Sequence, residues 1–135
     1  MPSTFQCTLV TPQEEVLDRP IVYASIPAWD GQVGLAPQRA PLLVKLGDGH
    51  LRLDEEEGSS SHFFVGGGFA QMKDNRLTLL TDEAVAAKAL DREEVEAAYK
   101  EALARRALDE KSATDRQRQL YRARAMRRIL SARGA

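Results

Sequence analysis

Cys7, His50 and His62 are the side chains with which this 135-residue chain could attack a carbonyl or hold a metal. Beside them stand a run of carboxylates at residues 54–57, three consecutive glycines and a row of arginines. A zinc site or an activated nucleophile needs its partners within a few ångströms, and close, regular spacing is the usual sequence sign of that. The two histidines stand twelve apart and Cys7 is remote from both, so spacing gives neither a metal cluster nor a Cys-His pair; His50 is expected beside a hairpin turn. The run at residues 54–57 reads as a solvated loop, because a general acid or base normally sits partly buried, where its pKa moves. Gly66, Gly67 and Gly68 would cradle phosphate only if a G-x-x-x-x-G-K-[ST] or G-x-G-x-x-G pattern led into a helix, and neither occurs. Between Phe64-Val65 and Phe69 they read as a bulge or a close approach of neighbouring backbone. The sequence thus points away from an enzyme and assigns no catalytic residue, cofactor or metal.

Arginine is the remaining candidate. Arg116, Arg118, Arg122, Arg124, Arg127, Arg128 and Arg133 occupy a stretch with no acidic residue after Asp115. Such a helix could neutralise nucleic-acid phosphates, but these arginines fall on several helical sides and lack an aromatic platform or zinc pattern. Docking to an acidic protein surface is the favoured reading, ahead of a solvated face and of nucleic acid. Residues 1–90 carry 7 basic and 12 acidic groups, residues 91–135 carry 12 and 8, so the two parts attract each other or a partner although the net charge is −1. A lone cysteine excludes an internal disulfide and fits a reducing compartment. No segment offers the roughly 20 apolar residues that span a bilayer, and the first residues lack a basic region followed by an apolar run. Membrane association is therefore expected only through a protein partner.

Two element types must position these residues. From Phe5 to Thr11 the chain alternates, with Phe5, Cys7 and Leu9 on one face. Residues 12–15 read as a turn, Val16 and Leu17 as a short strand, residues 18–20 as another turn, and residues 21–26 as a strand ended by Pro27. Residues 42–46 read as a strand, Gly47-Asp48-Gly49 as a tight turn and residues 50–53 as the return, before a polar loop and a strand from His62. Residues 69–72 and 76–80 pair about Asp74-Asn75, and the alanine-rich residues 84–89 fit helix or strand. Many short strands with frequent turns mean an antiparallel β-sandwich or barrel. From Leu90 the period changes. Asp91 reads as an N-cap boxed by Glu94 and stapled by Leu90 and Val95, opening a helix to about Glu110 whose buried face is Val95, Ala98, Tyr99 and Ala102. Ser112 and Asp115 offer a second box for a helix to about Ser131, with rows Tyr121, Ala125, Ile129 and Ala123, Met126, Leu130. The expected organisation is a β-sandwich over residues 1–89 and an antiparallel helical hairpin over residues 90–135.

Residues 27–46 tie the reading together. Gly31 and Gly34, Pro37 and Pro41, and the apolar run that follows fix a path that a surface loop does not need. The string G-x-x-G-x-x-P-x-x-A-P-L-L, at Gly31, Gly34, Pro37, Ala40, Pro41, Leu42 and Leu43, resembles the central motif of the epsilon subunits of F-type ATP synthases. Where that family usually has leucine, glycine and histidine, this chain has Val33, Gln38 and Arg39. FQCTLVTPQEEVLD, FFVGGGF and LTLLTDEA extend the resemblance in register, and so does the charged helical end. The resemblance implies a non-catalytic central-stalk subunit without cofactor, peripheral on the cytoplasmic side of a bacterial membrane. It implies contact with a gamma subunit, with the ring of c subunits, and with alpha and beta through a hairpin that can inhibit ATP hydrolysis. The family loop on the c ring corresponds to Asp30, Gly31, Gln32, Val33 and Gly34, with Arg39, Ala40 and Pro41 nearby. The competing reading is a free-standing sandwich whose basic arm recruits acidic protein or RNA. Some family members hold ATP through [I/L]-D-x-x-R-A; here Leu90 and Asp91 match, but Glu94 and Val95 replace the arginine and alanine, so at most weak binding is expected.

Overall fold

Alternation is realised at once in β1 (Phe5–Val10), where Phe5, Cys7 and Leu9 are buried and Gln6, Thr8 and Val10 are half-buried. The computed structural model describes residues 4–133. Seven further strands follow: β2 (Glu15–Ile21), β3 (Tyr23–Ala28), β4 (Gly31–Leu35), β5 (Leu42–Asp54), β6 (Ser60–Lys73), β7 (Arg76–Leu80) and β8 (Ala84–Ala86). They form one sheet in the order β2-β1-β7-β6-β5-β3-β4, with β8 on β6, and among the described residues the β1–β7 pairing alone is parallel. The sheet folds on itself because β5 and β6 each serve both layers. Residues 52–54 of β5 pair with β3 and with the start of β6, whereas residues 42–46 pair with residues 68–72, beyond which β7 and β1 continue. Leu9, Ile26, Leu35, Leu51, Leu53, Met72 and Leu77 come from both layers and share one core.

Three expectations change here. Gly47 and Gly49 do not reverse the chain; β5 runs straight through them, and a Cβ on Gly49 would lie 2.9 Å from the Pro27 side chain. The glycines mark a bend and a close approach of β3, whose pairing with β5 shifts register between Ser25 and Ala28. The reversal comes later, at Gly58, whose N–H donates to the Glu55 carbonyl. Pro27 therefore lies inside β3, at that irregularity. Residues 18–20 are likewise strand rather than turn, because β2 is an edge strand and an edge accepts a proline without breaking the interior ladder. Asp74 and Asn75 do make the expected hairpin, both at positive φ, as a two-residue turn with right-handed strand twist requires.

After β8 a single 3-10 turn, Ala87–Ala89, leads to the hairpin of α1 (Arg92–Ala104) and α2 (Glu110–Arg133). Asp91 caps α1 as expected, accepting from the N–H groups of Glu93 and Glu94, and Leu90 and Val95 are buried in one cluster as a staple would have them. The connection is earlier than the sequence indicated. α1 stops at Ala104, and α2 is capped by Asp109, which accepts from the Ser112 N–H at 2.7 Å while the Ser112 hydroxyl accepts from the Asp109 N–H at 3.0 Å. Ser112 is thus the partner at the third helical position of a reciprocal box and not the cap itself. The faces also differ. Ala98 is exposed and Tyr121 is 53% exposed, while Leu120 is buried. α2 is buried on two sides because α1 covers one and Phe64, projecting from the outer face of β6, meets Ala125, Ile129 and Leu130 on the other.

Candidate functional site

The motif splits into two arms that flank the start of β5. The first is the turn at Trp29-Asp30 and the edge strand β4. Asp30 and Gly31 are exposed; Gln32 folds back, its Nε2 donating to Ser25 Oγ at 2.8 Å and to the His50 carbonyl at 3.2 Å; Val33 packs on the core. Gly34 leaves room for Tyr23: a Cβ there would overlap the Tyr23 hydroxyl, and a larger residue would have to displace that ring. The second arm, residues 36–41, carries Arg39, Ala40 and Pro41, all exposed. Arg39 donates to the Ala40 carbonyl at 3.2 Å, and the Gln38 N–H donates to Asn75 Oδ1 at 2.7 Å, which pins the arm to the β6–β7 turn.

Between and beside these arms lies a surface that the sequence reading did not single out. Leu43 is 70% exposed, Trp29 68%, and Phe69 and Leu80 54% each. Lys45 pairs with Phe69 and Phe69 with Leu80, while Trp29 donates its N–H to the Lys45 carbonyl, so the four apolar groups lie together across three strands and the adjoining turn. A run of this kind, apolar at successive positions of strands that are otherwise half-polar, marks a surface meant to be covered. The signal was present in Leu42-Leu43-Val44 and Leu79-Leu80, where both faces of a strand are apolar. α2 does not cover it. That helix lies over the opposite halves of β5 and β6, from Asp48 to Arg52 and around Phe64, beyond the glycine bends.

The arginine row is distributed among distinct tasks. Arg118 Nε reaches Asp48 at 2.8 Å, and the Asp48 carboxylate holds the Arg118 guanidinium above its ordinary pKa. Arg122 bonds Glu83 at 2.6 Å, lies 3.6 Å from Asp48 and stacks 4.8 Å above the Phe64 ring. Gly66 leaves room for this clasp: a Cβ there would stand 2.9 Å from the Glu83 carboxylate and 3.2 Å from the Arg122 guanidinium. Arg127 bonds Glu96 at 2.9 Å and stacks 4.3 Å from Tyr99, and Arg116 donates to the Leu103 and Arg105 carbonyls at the end of α1. Arg124 and Arg128 remain exposed, and the Arg133 side chain lies outside the described residues.

The histidines, distant in sequence, are in contact. His50 Nε2 and His62 Nδ1 stand 2.7 Å apart on the outer face of the sheet, because β5 and β6 pair Arg52 with His62 and His50 with Phe64. Burial, then His62, Arg128 and Arg52, push the His50 imidazole down to about 4. Among the described residues no group of three or more His, Cys, Asp or Glu is placed to hold a metal ion. Cys7 is buried in the core, where desolvation pushes its thiol up to about 12. No helix among the described residues is long and apolar enough to cross a membrane.

Comparison with known proteins gives one consistent family. The family model described as "ATP synthase, Delta/Epsilon chain, beta-sandwich domain" matches residues 4–87. The ATP synthase epsilon chain of Rhodopirellula baltica is 38% identical over 74% of this chain and 77% of its own length. That of Alkalilimnicola ehrlichii is 33% identical over 77% and 76%. Among solved structures, a chain of the Euglena gracilis mitochondrial ATP synthase (OSCP/F1/c-ring in rotational state 1) superposes with a TM-score of 0.88 at 25% identity, over 96% of this chain and 83% of that one. With its sandwich matched by the family model and relatives above 30% identity spanning most of its length, the chain belongs to the ATP synthase delta/epsilon family.

Proposed function

We propose that this chain is a non-catalytic central-stalk subunit of an F-type ATP synthase, joining a gamma-type subunit to the ring of c subunits so that proton-driven rotation reaches the sites that make ATP. The observation that carries it is the uncovered face of Trp29, Leu43, Phe69 and Leu80 beside the two arms of the motif. Gamma takes the apolar face. The exposed turn and edge at Asp30, Gly31, Gln32, Val33 and Gly34, with Arg39, Ala40 and Pro41, meets the c ring. Rotary coupling needs a stiff element at this junction, and a twice-used pair of long strands around one core supplies it. The membrane is reached only through the complex, on the cytoplasmic side of a bacterial cell.

Division of labour follows the two parts, residues 1–89 for coupling and residues 90–135 for regulation. Contact of the hairpin with alpha and beta requires Arg118 and Arg122 to leave Asp48 and Glu83, since these are the cations of α2 paired with carboxylates of the sandwich. The folded-down position is the resting one; the likeness to the Euglena gracilis chain, which extends over the hairpin, supports this. Titration calorimetry or native mass spectrometry with the cognate gamma tests the assignment. A one-to-one complex is expected, weakened at least tenfold by Phe69→Asp, the scale of losing an interface anchor. Failure of the unmodified chain to bind gamma would overturn the reading, and undiminished binding by the variant would move the interface off this face.

A further inference from the structure

We infer that the His50–His62 pair is a proton-operated latch that loosens the hold of the hairpin on the sandwich as pH falls. The inference goes beyond the stalk role and rests only on how α2 packs. Two imidazoles whose ring nitrogens stand 2.7 Å apart share one hydrogen on the line between them. Neutral or singly protonated, the pair keeps that bond. A second proton has no place on the line, and the rings must separate.

The surroundings make that second proton more costly while the hairpin is down. From α2, Arg128 faces His50 across a small cavity also lined by Arg52 of β5, and Ser25 and Gln32 add no charge from β3 and β4. Around His62 the groove holds Lys88 of the 3-10 turn, Arg19 of β2 and Ala132 of α2. The carboxylates of this region are already engaged, Asp54 by Arg52 and Ser60, and Glu55 by Arg19 and Ser61. Phe64, opposite His50 in register, is fully buried under Ala125, Ile129 and Leu130, so lifting α2 hydrates this face and removes Arg128.

The sign follows. Burial, His62, Arg128 and Arg52 depress His50 from 6.5 to about 4 in the docked chain; lifting α2 removes Arg128 and the burial under the helix, while His62 and Arg52 stay beside it on the sandwich, so the lifted form binds more protons over part of that range. Docking is strongest above about pH 6.5 and weakens as pH falls below it, by less than about tenfold per unit because only part of the depression belongs to α2. A readout is the distance between spin labels on Glu56→Cys and Gln117→Cys in the full chain, both exposed positions. The native Cys7 is fully buried and stays unlabelled. A single distance, that of the docked arrangement, is expected near neutrality and a growing second population in acid. His50→Gln should flatten the profile, and Arg128→Gln, at an exposed site, should hold the hairpin down to lower pH by easing protonation of the docked form. An unchanged distance down to about pH 4.5 would overturn the latch. So would the same profile in a His50→Gln/His62→Gln chain, which would locate the sensor in the Asp48 and Glu83 ion pairs.

Discussion

Gln38 holds a backbone angle that its side chain disfavours. Its φ is +63°, at the position where the resembled family usually has glycine, and a left-handed non-glycine residue costs about 1–2 kcal/mol. The bond from its N–H to Asn75 fixes it there. Gln38→Gly should therefore stabilise the chain by about 0.5–1 kcal/mol, the strain relieved less the extra freedom of glycine when unfolded. Chemical denaturation reads this, and an unmoved or lowered midpoint would show that the strain is absorbed elsewhere. Gly68 is the opposite case. Its φ is +110° and a Cβ would overlap the Leu80 carbonyl oxygen, part of a backbone that cannot swing aside. Gly68→Val should cost on the order of 3 kcal/mol or more, above the range of ordinary surface substitutions. A loss below about 0.5 kcal/mol in the same denaturation experiment would refute that. At this scale the sequence was informative where type restricts geometry. Gly68 read correctly as a close approach of neighbouring backbone and Gly67 holds a positive φ, whereas Gly66 makes room for the side chains of Glu83 and Arg122, which needs a helix from the far end of the chain and has no local sign.

Elements were legible by period and misjudged at their ends. Alternation located β1, the Asp74-Asn75 turn located β7, and the Asp91 cap located α1, because each depends on neighbours within a few residues. The Gly47-Asp48-Gly49 string carries the composition of a turn, but what it serves is the approach of Pro27 and Trp29 from another strand, so only tertiary contact distinguishes bend from reversal. The meeting of His50 with His62 was hidden for the same reason: it follows from the register of a hairpin whose turn lies at residues 55–59. The α2 clasp is also long-range, and its parts are unequal. The Arg118 side chain is 65% exposed and its pair with Asp48 contributes little, as solvated ion pairs do. Arg122 is 24% exposed, spans Asp48 and Glu83, and covers Phe64. Arg122→Ala should weaken hairpin docking by about 1–2 kcal/mol and Arg118→Ala by under about 0.5 kcal/mol. Tryptic cleavage rates within α2 at neutral pH provide the comparison; equal acceleration in both variants would contradict the ranking.

For the whole molecule, the question the sequence left open was where its basic end is spent. Opposite charge of the two parts was legible from counting, and the structure pairs them within the chain at Asp48 and Glu83. That assignment bears on nucleotide. In the departure from the [I/L]-D-x-x-R-A pattern, Glu94 is exposed in the first turn of α1, where a carboxylate favours the helix dipole and repels phosphate. The three arginines of α2 that could compensate are not equally free. Arg122 is committed to Asp48 and Glu83, leaving Arg124 and Arg128, which with Tyr99, Arg127 and Ser131 border a shallow, open depression. Two solvated guanidinium groups on an open surface bring neither the burial nor the convergent donors that a nucleotide site uses, and about 4 kcal/mol, a millimolar dissociation constant, is as much as they can be expected to supply. The chain alone should bind ATP no more tightly than millimolar, and Arg124→Ala with Arg128→Ala should change the stability of the hairpin little. On the proposed function its position should then answer to gamma, to the nucleotide state of the catalytic subunits and to protons, with no ATP of its own as signal. Calorimetric titration of the full chain with ATP decides it: a saturable micromolar isotherm, abolished by the double arginine variant, would mean that the hairpin rearranges around the nucleotide into a site that its folded-down form does not contain.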